Sequence, residues 1–255
     1  MPVLGSVLLR IDGPVGYLGL DRPETLNAFD VEMIEDITVA AKWLSAQEEV
    51  KAVIVHSTGR AFSSGFHLRQ FSESTPGQAA RNVEAGRRMI ETVSAMRPIT
   101  IAAAAGHCVG GGFVLIAACD FRYAADDLSV YLPEARLGIP LAWGGVPRLV
   151  REIGPAATAE LILLCDRVGS GTLKELGVLN GIVPAGSLLA HAESIAQRLA
   201  DLSPMVLETT KLQIALASKA LASTEASVME ENVVFTAMSD EASAKRRSDY
   251  LKTLG

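Results

Sequence analysis

Apolar positions along this chain recur at two periods, and the switches between them set the order of elements. β-Favouring residues in 6-SVLLRID-12 and 15-VGYLGLD-21 flank Gly13-Pro14, which predicts a hairpin. After the turn-rich loop 22-RPETLNAFD-30, Val31, Ile34, Ile37, Ala41 and Leu44 follow at helical spacing, with Asp30 as the N-cap. The runs 52-AVIVHS-57 and 99-ITIAAAAG-106 are continuously apolar and of strand length, the pattern of buried strands. Between them, residues 78–96 read as a helix ending at Arg97-Pro98. A helix starting on a glycine run is expected over 111-GGFVLIAACD-120, then a strand pair at 121-FRYAAD-126 and 128-LSVYLP-133.

From Trp143 the period is mostly helical. Val146, Leu149, Val150 and Ile153 form one face that Gly154-Pro155 stops, and 156–164 reads as a second helix. A strand-like link, 178-VLNGIVPAG-186, precedes helices over 187–202, 204–220, 223–238 and 240–253. Strands alternating with helices, then helices alone, predict an α/β core over residues 1–186 and a helical C-terminal region over 187–255.

Composition specifies the core and removes several partners. Of 255 residues 49% are hydrophobic and only 5% aromatic, so small and branched aliphatics fill the interior and disorder is not expected. The formal charge is −6 and no basic block precedes 245-KRR-247, which argues against nucleic acid. Cys108, Cys119 and Cys165 lack C-x-x-C spacing and lie in apolar surroundings; buried thiols in a reducing cytoplasm fit them better than disulfides or zinc. The start, 1-MPVLGSVLLRIDG-13, does not read as a signal peptide. Pro98 to Cys119 is uncharged and long enough to span a bilayer, but Gly106 and the run Gly110 to Gly112 interrupt it. Strand, loop and helix are expected there, and no membrane span.

Three segments carry candidate chemistry: 61-AFSSGFHL-68, 106-GHCVGGGF-113 and 133-PEARLGIP-140. The first two are small-residue loops in which a backbone N–H can approach a ligand with no Cβ in the way. The glycine run also suits plain tight packing of strand on helix. The third segment brings one acidic side chain, Glu134, into a largely apolar stretch. Two backbone donors and a carboxylate suit stabilisation of an enolate and proton transfer beside a thioester carbonyl. Where the following helix has room for a second carboxylate, the chain has Val114.

Together with 20-LDRPETLNAF-29, 119-CDFRYA-124 and 165-CDRVGSGTLKELGVLNGIVP-184, these segments resemble the crotonase (enoyl-CoA hydratase/isomerase) superfamily, in order and nearly end to end. The resemblance implies a spiral of β-β-α turns and C-terminal helices packed near neighbouring subunits. It implies a homotrimer or a dimer of trimers acting on acyl-coenzyme A thioesters in lipid metabolism. No separate cofactor or metal is implied, coenzyme A entering with the substrate.

By resemblance, the N–H groups of Phe66 and Gly111 form the oxyanion hole and Glu134 is the acid/base. Gly111 at a helix N-terminus adds free N–H groups and the helix dipole. The resemblance further places Arg22, Leu26, Ala28, Ala61, Ser63, Ser64, Gly65, Leu68, Gly110 and Trp143 along the substrate. Family hydratases carry a second Glu where this chain has Val114, and isomerases commonly manage with one, so the pattern is nearest to single-glutamate members. His67 stands where relatives more often have Asp; it either reaches the site or stays outside it. Lys245, Arg246 and Arg247 either hold phosphates or form a solvated face. A dehalogenase nucleophile would fall near Ala142 and is missing. The expected activity is a Δ3-Δ2-enoyl-CoA isomerase. The alternatives are an enoyl-CoA hydratase or acyl-CoA hydrolase drawing on Glu84, Glu91 or Asp126, or an acyl-CoA-binding member without turnover.

Overall fold

The structure, a computed structural model, describes residues 1–224 and 229–253, and of Leu68 and Arg69 the backbone alone. The chain begins with the hairpin β1 (Val7–Asp12) and β2 (Val15–Leu20), then α1 (Val31–Ser45), whose cap Asp30 accepts from the Met33 N–H. Three passes follow, each laying one strand in a large sheet and one in a small sheet before a helix. The first is β3 (Ala52–Ser57) and β4 (Ala61–Ser63), with the short α2 (Leu68–Ser72) and α3 (Pro76–Ser94). The second is β5 (Ile99–Ala104), β6 (His107–Val109) and α4 (Gly111–Ala117). The third is β7 (Phe121–Ala125), β8 (Ser129–Tyr131) and α5 (Gly145–Leu164). Then come β9 (Val168–Gly169), α6 (Ser170–Glu175), β10 (Gly181–Val183), α7 (Leu188–Ala200), α8 (Pro204–Leu221), α9 (Glu230–Ser239) and α10 (Glu241–Lys252).

The large sheet runs β1-β2-β3-β5-β7-β10 and the small one β4-β6-β8-β9. Strands β2, β3, β5, β7 and β10 are mutually parallel. β2 and β5 are buried along their whole length and the first four residues of β3 are too, which is why these runs are almost wholly apolar. In β3, Val53 and Val55 enter the main core, while Ala52 and Ile54 face Leu188, Ala192 and Ala196 of α7. Helix α3 starts on a capping box, Thr75 with Gln78, present in the sequence as T-P-G-Q, so it begins two residues before the expected 78.

The segments 121–126 and 128–133 are strands but not a pair. β7 lies between β5 and β10 in the large sheet, and β8 joins β6 in the small one. The chain changes sheets at Asp126-Asp127, where Asp127 accepts from the Gly106 N–H and Asp126 from that of Ala185. Gly154 has non-helical φ/ψ of 75° and 168°, which breaks α5 where Gly154-Pro155 predicted a stop. The three cysteines are free and buried. Among the described residues no helix is long and apolar enough to cross a membrane; Pro98 to Cys119 holds β5, β6 and the short α4.

Candidate active site

β4, β6 and β8 are parallel neighbours, so their carboxyl ends share one edge of the small sheet. The three candidate segments leave from that edge: residues 64–66 after β4, Gly110-Gly111 after β6, Pro133-Glu134 after β8. Their convergence follows from strand pairing, and ligands in parallel sheets commonly sit at carboxyl ends. The Gly110 N–H donates to the Tyr131 carbonyl at 2.9 Å, which pins the glycine run to the strand that delivers Glu134. Gly65, at φ 82°, approaches the Val109 backbone so closely that a Cβ would meet its carbonyl oxygen at 2.9 Å.

Phe66 forms a parallel bridge with Phe29, in which the Phe29 N–H donates to the Gly65 carbonyl and the His67 N–H to the Phe29 carbonyl. Successive peptide groups of an extended segment point to opposite sides. The N–H of Phe66 therefore faces away from Phe29, and it makes no hydrogen bond among the described residues. Gly111 is the first residue of α4. The first N–H groups of a helix have no partner within it, and Gly110, the N-cap, has no side chain to supply one.

Glu134 lies between these donors and a largely apolar wall. The residues around it form a partly open cavity of about 110 Å³, lined by Phe66, Phe71, Val83, Leu137, Leu141, Trp143 and Val234 among others. Among the described residues Glu134 is the one carboxylate in that lining. Its Oε2 is buried with no hydrogen-bond partner among the described residues. Loss of water raises its pKa from 4.5 to about 7, its own backbone N–H opposing the shift slightly. Gly110 is required here: a Cβ would collide with Glu134 Oε1, and its φ is 51°. Such a group is half-ionised near neutrality, poised to take and return a proton.

Of the residues expected at the site, the catalytic candidates Phe66, Gly111 and Glu134 and the substrate candidates Ser64, Gly65, Gly110 and Trp143 all line the cavity. Arg22, Leu26, Ala28, Ala61 and Ser63 do not. Arg22 is held by Asp30 and Glu32, both at 2.5 Å. Ser63 is fully buried, its hydroxyl donating to the Asn27 carbonyl and accepting from the Gly65 N–H, so it shapes the loop. Leu26 abuts the site through the Ser64 N–H, which donates to its carbonyl at 2.9 Å. Buried Asn27 ties this loop to Thr58, just after β3, and to β4 by donating to the carbonyls of Thr58 and Ala61. Ala28 and Ala61 are buried beside it. The side chain of Leu68 lies outside the described residues.

His67 accepts from the Gln70 N–H at 3.4 Å and lies outside the lining. The basic trio splits: Lys245 and Arg246 are exposed, while Arg247 turns inward, donating to the Leu137 carbonyl at 3.5 Å and facing the Phe71 ring. Glu84 and Glu91 are engaged by Arg87, and Asp126 holds a turn; none reaches the cavity. Val114 is buried and also outside the lining, meeting Leu141 over Gly145.

The sequence reading missed contributors from the C-terminal helices. Val234 of α9 and Tyr250 of α10 line the same cavity, and Glu230 accepts from the Gly144 N–H at 3.1 and 3.2 Å. The site therefore extends beyond residue 186. A model of the enoyl-CoA hydratase/isomerase family matches residues 10–253, nearly the whole chain.

The chain belongs to the enoyl-CoA hydratase/isomerase, or crotonase, family. A probable enoyl-CoA hydratase of Mycobacterium bovis, echA8, is 31% identical over 201 residues, covering 78% of this chain and 76% of that protein. The enoyl-CoA isomerase/hydratase fer4 of Mycosarcoma maydis is 30% identical over 211 residues, covering 79% and 77%. Among solved structures, an enoyl-CoA hydratase/isomerase from Xanthobacter autotrophicus Py2 superposes with a TM-score of 0.85 at 28% identity, covering 98% of this chain and 93% of that one. The passes of strand, strand and helix described above are the crotonase fold of these relatives.

Proposed function

We propose that this family member is a Δ3-Δ2-enoyl-CoA isomerase with Glu134 as its proton shuttle. The observation that carries the reading is the single carboxylate that the described residues place in the cavity, with one oxygen buried and unpartnered among them. The Glu134 carboxylate takes a proton from C2 of a 3-enoyl thioester. The electron pair of that C–H bond delocalises onto the thioester oxygen, where the N–H groups of Phe66 and Gly111 stabilise the negative charge. The protonated Glu134 then returns the proton at C4, and the double bond moves from C3–C4 to C2–C3. No water is consumed, so one carboxyl group suffices.

Hydration of a 2-enoyl-CoA is the second reading, favoured by relatives such as echA8 that are named as hydratases. Adding water across C2–C3 needs a group to activate the water as well as one to exchange the C2 proton. Val114, at the position of the second glutamate of family hydratases, does neither.

Val114→Glu tests the assignment. It should gain hydration of a 2-enoyl-CoA at least tenfold while isomerisation falls. Burying a carboxylate beside Leu141 costs several kcal/mol, so a thermal melt of the variant accompanies the assay. A folded Val114→Glu with no change in either rate would contradict the role given to this position.

A further inference from the structure

Resting on the reading of this cavity as the acyl site, we infer that Trp143 sets the length of the acyl group and restricts the protein to short-chain acyl-CoA thioesters. The cavity of about 110 Å³ includes Glu134, Phe66 and Gly111 in its wall, so this volume holds the reacting carbons together with the tail. A dry cavity of roughly 150 Å³ accepts one benzene-sized group, which puts the acyl group here at roughly four to six carbons.

The limit is set by how Trp143 is seated. Its indole lies against Gly111 of α4 and Gly86 of α3, and a Cβ at either position would overlap the ring. Two glycines on facing helices thus form a slot that an indole fills. The rings of Phe29 and Phe66 meet it edge-on at 5.6 and 6.4 Å, and only 6% of Trp143 is exposed. On another side, fully buried Val234 of α9 lines the cavity, and Glu230, one turn earlier, anchors that helix to the N–H of Gly144 beside the tryptophan. A longer tail has to displace an indole held between two helices.

Saturated acyl-CoA thioesters need no base, so their binding separates this inference from the proposed isomerisation. Calorimetric titration of the full-length protein with acetyl- through decanoyl-CoA should show tightest binding at butyryl or hexanoyl. Affinity should fall at least tenfold at octanoyl and decanoyl. Trp143→Ala should move the optimum at least two carbons longer, with Trp143→Phe in between. Octanoyl- or decanoyl-CoA binding wild type as tightly as butyryl-CoA would overturn the inference, as would a folded Trp143→Ala with the wild-type profile. If Trp143→Ala fails to fold, the wild-type series and Trp143→Phe decide by the same criteria. Equal affinity for free coenzyme A and every thioester would overturn the acyl-site reading, and this inference with it. Absent isomerisation with the length profile intact would remove the proposed reaction and leave the inference standing.

Discussion

Burial raises the pKa of Glu134 to about 7, which suits the proposed role as base and acid at neutral pH and also weakens the fold. Glu134→Gln keeps the shape and removes the base, so kcat should fall at least about a hundredfold, the low end of general acid–base contributions. Binding of a saturated acyl-CoA should change little; near wild-type turnover would sink the assignment. Because the ionised form is the base, kcat/KM for a 3-enoyl-CoA should rise through about pH 7 and flatten above it. A profile flat from pH 5 to 8 would contradict this. The stability sign is opposite. Folding raises this pKa above its unfolded value of 4.5, so the group's contribution is full below pH 4.5 and declines until about pH 7. Above pH 7 Glu134→Gln should therefore be more stable than wild type, by at most roughly 3 kcal/mol. Urea titration at pH 5 and pH 8 checks it: the gap between the two proteins should widen at the higher pH.

At the scale of elements, the site depends on three short parallel strands and on helices that touch through glycine. Gly86→Ala places a methyl group into the Trp143 indole and should cost about 1–3 kcal/mol. In a Trp143→Phe background the penalty should shrink, and a double-mutant cycle with no coupling would contradict the packing account. The segments that converge on the cavity are plain in the sequence, because Gly65, Gly110 and Glu134 stand in short stretches where each is conspicuous. It hid β4 and β6, since three-residue strands inside glycine-rich loops leave no period to detect. Gly86 falls inside the helix expected over 78–96, and the partner that explains it, Trp143, is 57 residues away. Val234 and Tyr250 looked like ordinary helix residues for the same reason. Val234 comes over the cavity because α9 packs on α3, and Tyr250 because α10 packs on α9, so the first placement depends on a contact between distant segments.

Across the whole molecule, one helix stands apart. α8 buries only Leu207, while Met205, Leu212, Ile214, Leu216 and Leu221 are more than half exposed. Its polar ties, Lys211 to Asp120 at 2.6 Å and Glu208 to Arg97 at 2.8 Å, fix it to the body and leave that apolar surface uncovered. Exposed apolar area on this scale marks an association surface. With the family resemblance, it supports a homotrimer or a dimer of trimers. Light scattering at micromolar concentration should give the mass of three or six chains, and Leu216→Glu should lower it; a monomeric wild type would contradict this. The central claim, that one carboxylate in this cavity moves a double bond without adding water, is tested most directly by one paired assay. A 3-enoyl-CoA and the matching 2-enoyl-CoA are given to the same wild-type sample, and the products are followed by mass. The account predicts conversion of the 3-enoyl to the 2-enoyl thioester at least a hundredfold faster than formation of the 3-hydroxyacyl product, 18 Da heavier by the added water. Hydration at a rate comparable with isomerisation would contradict it.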